Sequence, residues 1–350
     1  GRNFENSGFC GITEHSINEE LINEVLQIFK RFFALPKQEK MQYFETNLGG
    51  ARGYTPIKVE TPKGGYEADI KEFWQTGRSL PKDHEFRKWM PSNKWATEIP
   101  RFKEKVHELF EQFDLVGKSL LKSVAIYLQI DENYFEEVAN EGNSVMRTIH
   151  YPPVRQNEKG ERSGAHEDIN LITLLIGGHQ PGLEIRSKKK EWLPVNFDPE
   201  VLICNIGDML QRFTNHKLVS TTHRVVTPEE SSKNTSRYSI PFFVHPNPNW
   251  VIETLDSCCS EDNPKKYQTF ENGELVKDNK IIKSIYLFNY DRGGNYLGYE
   301  YKLWGKVEKS LKYHYDTNGL LISSEEYVWN PNWGGKLEKK HEYKFEFTFW

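Results

Sequence analysis

Apolar residues near the start of the chain recur at helical spacing. Leu21, Ile22, Val25, Leu26, Ile28, Phe29, Phe32 and Phe33 form one stripe, behind Asn18 as N-cap and with Glu19 and Glu20 in the first turn. Pro36-Lys37-Gln38-Glu39-Lys40 reads as a second helix start with proline in its first turn. After a Gly/Pro-rich passage from Gly49 to Gly65, a long helical pattern runs from Ile99 to Leu128 through Phe102, Val106, Leu109, Phe110, Phe113, Leu120, Leu121 and Val124. The first stretch, residues 1–140, is therefore predicted to be helical.

From about Ser144 the pattern changes to short apolar or alternating runs separated by Pro, Gly and Asn. Ile169–Ile176, Leu183–Arg186, Val201–Ile206, Ser220–Val226 and Tyr238–Val244 read as strands, and their spacing suggests a barrel or sandwich. Ser187–Glu191, between two of them, reads as a solvated hairpin tip. A third style begins near Ile281. Residues 281–350 hold 17 aromatics in 70 positions, against 30 in the first 280, so this segment is set apart by composition. Asn289-Tyr-Asp-Arg-Gly-Gly294 returns as His314-Tyr-Asp-Thr-Asn-Gly319, and each copy predicts a turn between aromatic strands. The expected division is a helical region over 1–140, a β core over 141–280 and a small β-hairpin extension over 281–350.

Charge then removes several function classes. Fifty acidic side chains against 46 basic ones leave a formal charge of −4, without the basic excess of a nucleic-acid binder or a polybasic membrane-surface protein. The longest apolar runs are strand-sized, far below the ~20 residues of a membrane span. Cys10, Cys204, Cys258 and Cys259 contain no C-x-x-C pair and are too sparse for a disulfide scaffold, which predicts a reduced, cytoplasmic setting. The chain opens on Gly1-Arg2 without Met, which suggests processing or truncation.

The middle third carries the candidate chemistry. His166-Glu-Asp168 opens the strand-like run to Ile176, and residues two apart on a strand face the same way. His223 lies in a later strand-like run. Two imidazoles and one carboxylate are the ligand set of non-haem Fe(II) oxygenases. They leave the ion a single net positive charge and three open positions, suited to an anionic chelate plus dioxygen. The spacing alone selects little, since His-x-Asp recurs at His314-Tyr-Asp316, where it reads as a hairpin shoulder. What adds weight is Arg237-Tyr-Ser239, fourteen residues after His223. A guanidinium and a hydroxyl on one strand face can grip the far carboxylate of a keto-diacid whose other end chelates the metal.

The stretches Met146-Arg-Thr-Ile-His-Tyr-Pro152, Gly164-Ala-His-Glu-Asp-Ile-Asn-Leu-Ile-Thr-Leu-Leu175, Asn205-Ile-Gly-Asp208, Ser220-Thr-Thr-His-Arg-Val225 and Ser236-Arg-Tyr-Ser-Ile-Pro-Phe-Phe243 closely resemble the isopenicillin N synthase-like family of Fe(II)/2-oxoglutarate-dependent oxygenases. The resemblance spans roughly residues 7–270. It implies a double-stranded β-helix (jelly-roll) core buttressed by N-terminal helices. His166, Asp168 and His223 would be the iron ligands; Arg237, Ser239 and Tyr151 would bind 2-oxoglutarate. Fe(2+), 2-oxoglutarate and O2 would together hydroxylate, desaturate or cyclise a small organic substrate. Two departures stand out: the family's opening Ile-Pro-x-Ile-Asp strand is missing before Gly8, and the chain runs about 70 residues past the usual end.

Two rival functions fit the same residues: an iron oxidase that uses Arg237 and Ser239 on its substrate's carboxylate instead of 2-oxoglutarate, and a non-catalytic jelly-roll binding protein. The aromatic extension could serve self-association or a protein partner. Structural or surface roles are expected for His150, His179 and His216, a turn-stabilising role for Asp208 and a structural ion pair for Arg224. Arg52-Gly53-Tyr54 is read as either a structural turn or part of the substrate entrance.

Overall fold

The computed structural model describes residues 1–45, 50–60, 68–154, 161–177, 181–227 and 235–267 with their side chains, and the backbone of strand segments between 269 and 344. His179 and the turn residues 291–294 and 316–319 lie outside the described residues. The chain forms two compact units, Gly1–Phe44 with Ala51–Lys265, and Glu45–Gly50 with Lys266–Trp350.

The first unit begins with helix α1 (Arg2–Asn6) and strand β1 (Phe9–Ile12), followed by helices α2 (Glu19–Phe33) and α3 (Lys37–Met41). The Asn18 side chain accepts the Leu21 amide hydrogen at 2.9 Å, satisfying one orphan donor at the start of α2. Strands β2 (Gly53–Thr55) and β3 (Glu72–Gly77) precede the long helix α4 (Phe102–Leu128) and the short α5 (Tyr134–Ala139). The apolar stripes of α2 and α4 converge on Trp74 of β3, whose ring lies 4.9 Å from both Phe32 and Phe102.

β1, β2 and β3 correct the expectation of a purely helical first stretch. All six residues of β3 are buried, including Glu72, Gln75 and Thr76, so no polar/apolar alternation betrays it; β2 is only three residues long.

The remaining elements of this unit are β4 (Val145–Tyr151), β5 (Ser163–His166), β6 (Ile172–Ile176), β7 (Leu183–Arg186), β8 (Trp192–Pro194), β9 (Leu202–Ile206), α6 (Asp208–Phe213), β10 (His223–Val225) and β11 (Arg237–Val244). They build a seven-stranded antiparallel sheet, β1-β9-β6-β11-β4-β3-β2, and a four-stranded one, β5-β10-β7-β8. Period-two alternation sorts each strand of the larger sheet. Ile172, Leu174, Leu202, Cys204, Ile240 and Phe242 face the helices, while Ile149, Tyr151 and Ile203 pack inward with Leu183, Val195 and Val225 of the smaller sheet and its following loop. This is the jelly-roll: two facing antiparallel sheets with helices covering one outer surface.

His166 and Asp168 do not share a strand. β5 ends at His166 in the smaller sheet, and the chain crosses at Asp168 to enter β6 of the larger sheet. Ile169 sits in that crossing and is 68% exposed. The tip between β7 and β8 turns at Lys190 in the left-handed region, as a hairpin tip does.

The second unit pairs β12 (Thr269–Glu271), β13 (Glu274–Lys277) and β14 (Lys280–Ile282) in one sheet. A five-stranded meander follows: β15 (Ser284–Tyr290), β16 (Tyr296–Leu303), β17 (Lys306–Tyr315), β18 (Leu321–Asn330) and β19 (Lys336–Lys344). The two Tyr-Asp motifs fall at the β15–β16 and β17–β18 junctions, between strands that pair antiparallel.

Candidate active site

His223 on β10 is the register partner of His166 on β5, so antiparallel pairing alone brings the two imidazoles together, with ring centroids 4.4 Å apart. Asp168 reaches the same point from the crossing. Its Oδ1 is 3.9 Å from His166 Nε2 and 3.8 Å from His223 Nε2. One ligand atom from each residue lies within 4.8 Å of the others, and this is the one such cluster among the described residues.

The surroundings orient each donor. His166 Nδ1 lies 2.7 Å from the Gly164 carbonyl, and His223 Nδ1 lies 3.1 Å from that of Thr221. A carbonyl can only accept, so both Nδ1 atoms carry a proton and each Nε2 is the ring nitrogen turned toward the Asp168 carboxylate. Burial and the neighbouring His223 lower the pKa of His166, favouring the neutral, ligating form. Asp168 Oδ2 accepts from Thr173 Oγ1 at 2.6 Å and from Asn205 Nδ2 at 2.8 Å, leaving Oδ1 toward the imidazoles. Burial pushes its pKa up, but the two histidines and these hydrogen bonds outweigh it, so the carboxyl is held below its usual range. Two imidazole nitrogens and one carboxylate oxygen converging on one point fit a ferrous ion with an open face.

A cavity of about 70 Å³ runs inward from this point between the sheets, lined by Tyr151, Arg237 and Ser239. Arg237 and Tyr151 are register partners on β11 and β4, and the guanidinium carbon lies 5.1 Å from the tyrosine ring centroid. Arg237 is 2% exposed, and its Nε and Nη1 have no hydrogen-bond partner among the described residues. Burial accordingly lowers its pKa against a smaller opposing effect of Tyr151. A buried cation with unsatisfied donors is costly unless an anion completes it, and a carboxylate matches its fork. The side chain therefore fits a carboxylate-bearing cosubstrate.

A second, outer cavity of about 640 Å³ shares His166 and Asp168 with the inner one. Its wall includes Lys71, whose Nζ donates to Asp69 at 2.7 Å, Glu60 at 3.0 Å and Ser163 at 3.2 Å. Arg147 packs over Phe73 at 4.1 Å and donates to Gln75 and Glu60. The two cavities thus adjoin at His166 and Asp168, which line both.

Lys71, Arg147, Thr173 and Asn205 were not legible as site residues. Thr173 and Asn205 stand 32 positions apart and meet because they are register partners across β6 and β9. Of the expected bystanders, Arg224 pairs with Glu184 at 2.8 Å and His216 is exposed. Asp208 is exposed at the start of α6, where its amide, not its side chain, binds the Asp168 carbonyl at 2.7 Å. Arg52 is 2% exposed and lines neither chamber, which favours the structural reading.

Comparison with known proteins agrees with this arrangement. The family model of the 2OG-Fe(II) oxygenase superfamily matches residues 142–246, and that of the N-terminal region of non-haem dioxygenases in morphine synthesis matches residues 1–98. The 2-oxoglutarate-Fe(II) type oxidoreductase hxnY of Emericella nidulans is 32% identical over 303 residues, 83% of this chain and 84% of that protein. A 2OG-Fe(II) oxygenase family protein of Caulobacter crescentus, known from its crystal structure, shows a TM-score of 0.72 at 42% identity, over 80% of this chain and 89% of that one. A Neurospora crassa protein crystallised at full length with alpha-KG and thymine gives 0.68 at 28% identity, over 78% of this chain and 86% of that one. The jelly-roll, the convergent His-Asp-His side chains and these relatives meet in one conclusion: the chain belongs to the 2OG-Fe(II) oxygenase superfamily and is an oxidoreductase that uses Fe(II), 2-oxoglutarate and O2.

Proposed function

We propose that His166, Asp168 and His223 hold the iron, that Arg237, Ser239 and Tyr151 bind the far carboxylate of 2-oxoglutarate in the inner chamber, and that the outer chamber takes a small organic molecule for hydroxylation. The carrying observation is the buried guanidinium of Arg237, whose Nε and Nη1 have no hydrogen-bond partner among the described residues, in the cavity that His166, Asp168 and His223 also line. When bound, the metal supplies oxidative chemistry with 2-oxoglutarate and dioxygen as co-reactants. The protein's own part is positional. Gly164 and Thr221 fix the imidazole orientation, Thr173 and Asn205 fix the carboxylate, and Tyr151, Arg237 and Ser239 line the inner chamber. The outer chamber offers apolar surface from Val145 and Phe243 and polar edges from Gln75 and Asn170, which suits a compact polar substrate.

Net charge and the lack of clustered basic excess support a small molecule over nucleic acid as the ligand. Among the described residues no helix is long and apolar enough to cross a membrane, and the four cysteines are free, which supports a cytoplasmic setting. In this reading the regions 1–140 and 141–280 hold the oxygenase, its chambers lying wholly within the unit that ends at Lys265, and residues 281–350 serve self-association or a protein partner.

Anaerobic titration of the Fe(II) protein with 2-oxoglutarate tests the site. A weak visible charge-transfer band should develop to saturation, and Arg237→Ala should weaken 2-oxoglutarate at least about thirtyfold, as loss of a buried charge partner does. An Arg237→Ala protein that binds 2-oxoglutarate as tightly as the wild type would sink the assignment.

A further inference from the structure

We propose that Glu72, His150 and Ser236 form a positioning relay on the helix-facing side of the larger sheet, and that this relay sets the 2-oxoglutarate affinity of Arg237 on the other side. The inference rests on the reading of Arg237 and Tyr151 as the cosubstrate anchor.

Glu72 on β3 is 3% exposed, and its carboxylate is fully engaged. One oxygen lies 2.8 Å from His150 Nδ1; the other accepts from Lys40 Nζ at 2.8 Å and from the Tyr54 hydroxyl at 2.6 Å. Burial would raise its pKa, but His150, Lys40 and Tyr54 together hold it below the usual carboxylate range. An ionised carboxylate can only accept, so His150 Nδ1 carries a proton. Its Nε2 lies 3.1 Å from Ser236 Oγ, the last member of the chain. The His150 ring also stacks on Tyr238, with centroids 4.7 Å apart and planes 12° from parallel.

Strand alternation gives this outer cluster its consequence. Tyr238 pairs with His150, and the next pair along the same ladder is Arg237 with Tyr151. His150 and Tyr151 share a peptide bond, as do Ser236 and Arg237, so the relay is bonded directly behind the cosubstrate anchor. Arg237 is moreover the first residue of β11. The Ser236–His150 contact, the Tyr238 stack and a hydrogen bond from Arg162 to the Thr235 carbonyl at 3.0 Å hold the start of that strand. A guanidinium gripping a carboxylate in parallel bonds tolerates little displacement, and the outer partners of metal ligands, which act in the same positional way, contribute about 10- to 100-fold. Through Lys40 on α3 and Tyr54 on β2, the same chain links the N-terminal elements to the cosubstrate site. A purely structural role for Glu72 and His150 predicts something different: lower stability with no selective effect on 2-oxoglutarate.

The test uses the full-length Fe(II) protein under anaerobic conditions, reading 2-oxoglutarate binding from the visible band and Fe(II) affinity separately by competition with a chelator. His150→Phe keeps a ring against Tyr238 but breaks the relay; Ser236→Ala removes only its last hydroxyl. Expected are about tenfold weaker 2-oxoglutarate binding for His150→Phe and about threefold for Ser236→Ala, with Fe(II) affinity unchanged. Wild-type 2-oxoglutarate affinity in both variants, or equal losses for metal and cosubstrate, overturns the relay. Should His150→Phe fail to fold, Ser236→Ala decides alone, a threefold loss supporting the relay and wild-type affinity overturning it. Arg237→Ala runs beside them. If it binds normally, the anchor reading fails and takes the relay with it; if it alone loses binding, the anchor stands and the relay falls.

Discussion

Asp168 divides its two oxygens between two directions, and the division shows how neighbouring side chains would orient a proposed metal ligand. Oδ1 faces the imidazoles, while Oδ2 is held by Thr173 and Asn205. Without those donors the carboxylate is free to rotate, and Oδ2 is left short of partners in a buried site. Thr173→Val, nearly isosteric, should therefore lower Fe(II) affinity by about tenfold, and Asn205→Ala by a similar amount. Chelator competition measures both, and unchanged affinity in the pair would show that Asp168 needs no orienting. These two residues also mark how far a sequence can be read at this scale. His166, Asp168 and His223, proposed here as the iron ligands, stand out in the sequence because iron chemistry constrains residue type, and their convergence is seen in the fold. Arg237 and Ser239, proposed for 2-oxoglutarate, stand out because period-two alternation puts both on one face. Thr173 and Asn205 are common polar residues whose role exists only through the register of β6 with β9. Even the correct expectation for His166 and Asp168 had the wrong reason, since the two converge across a change of sheet and not along one strand.

That change of sheet depends on an element too short to leave a periodic signal. The turn into α6 clasps the 168–171 crossing through backbone alone: Gly207 N donates to the Leu171 carbonyl at 2.9 Å, Asp208 N to that of Asp168 at 2.7 Å, and Met209 N to that of Ile169 at 3.1 Å. Gly207 has an ordinary φ of −100°, so conformational freedom does not explain the glycine. Space does. A Cβ there would meet the Asn170 carbonyl oxygen at 2.1 Å, a backbone atom that cannot move without dragging the crossing with it. Gly207→Ala should cost about 1–3 kcal/mol of stability by overpacking, and should weaken Fe(II) binding because Asp168 is displaced. Denaturant unfolding and metal titration read the two effects; a variant destabilised but with intact metal affinity would break the link between clasp and ligand. Longer elements were easier to foresee. α2 and α4 repeat their apolar stripe over several turns, whereas β3 hides behind buried polar residues whose partners, among them Lys40 and His150 for Glu72, come from elsewhere in the chain.

At the scale of the whole molecule, the oxygenase features gather in one unit. Every residue of both chambers lies between Phe9 and His245, within the compact unit that ends at Lys265. Beyond it, aromatic enrichment and a repeated turn motif were visible from composition. A consecutive five-stranded meander is what such hairpins make when each strand pairs with the next. Its outermost strands, β15 and β19, each pair on one side within that sheet, and an unpaired edge is a template for another chain. A chain ending at Lys265 should therefore fold and bind Fe(II) and 2-oxoglutarate with affinities within about twofold of the full-length protein, since it retains the whole of both chambers. Sedimentation of the two forms should differ in association state if the meander recruits a second copy. Equal sedimentation with intact ligand binding would leave a different protein as its partner. Loss of iron from the shortened chain would instead make residues 266–350 part of the catalytic machinery, and the division of labour proposed for the two units would fall.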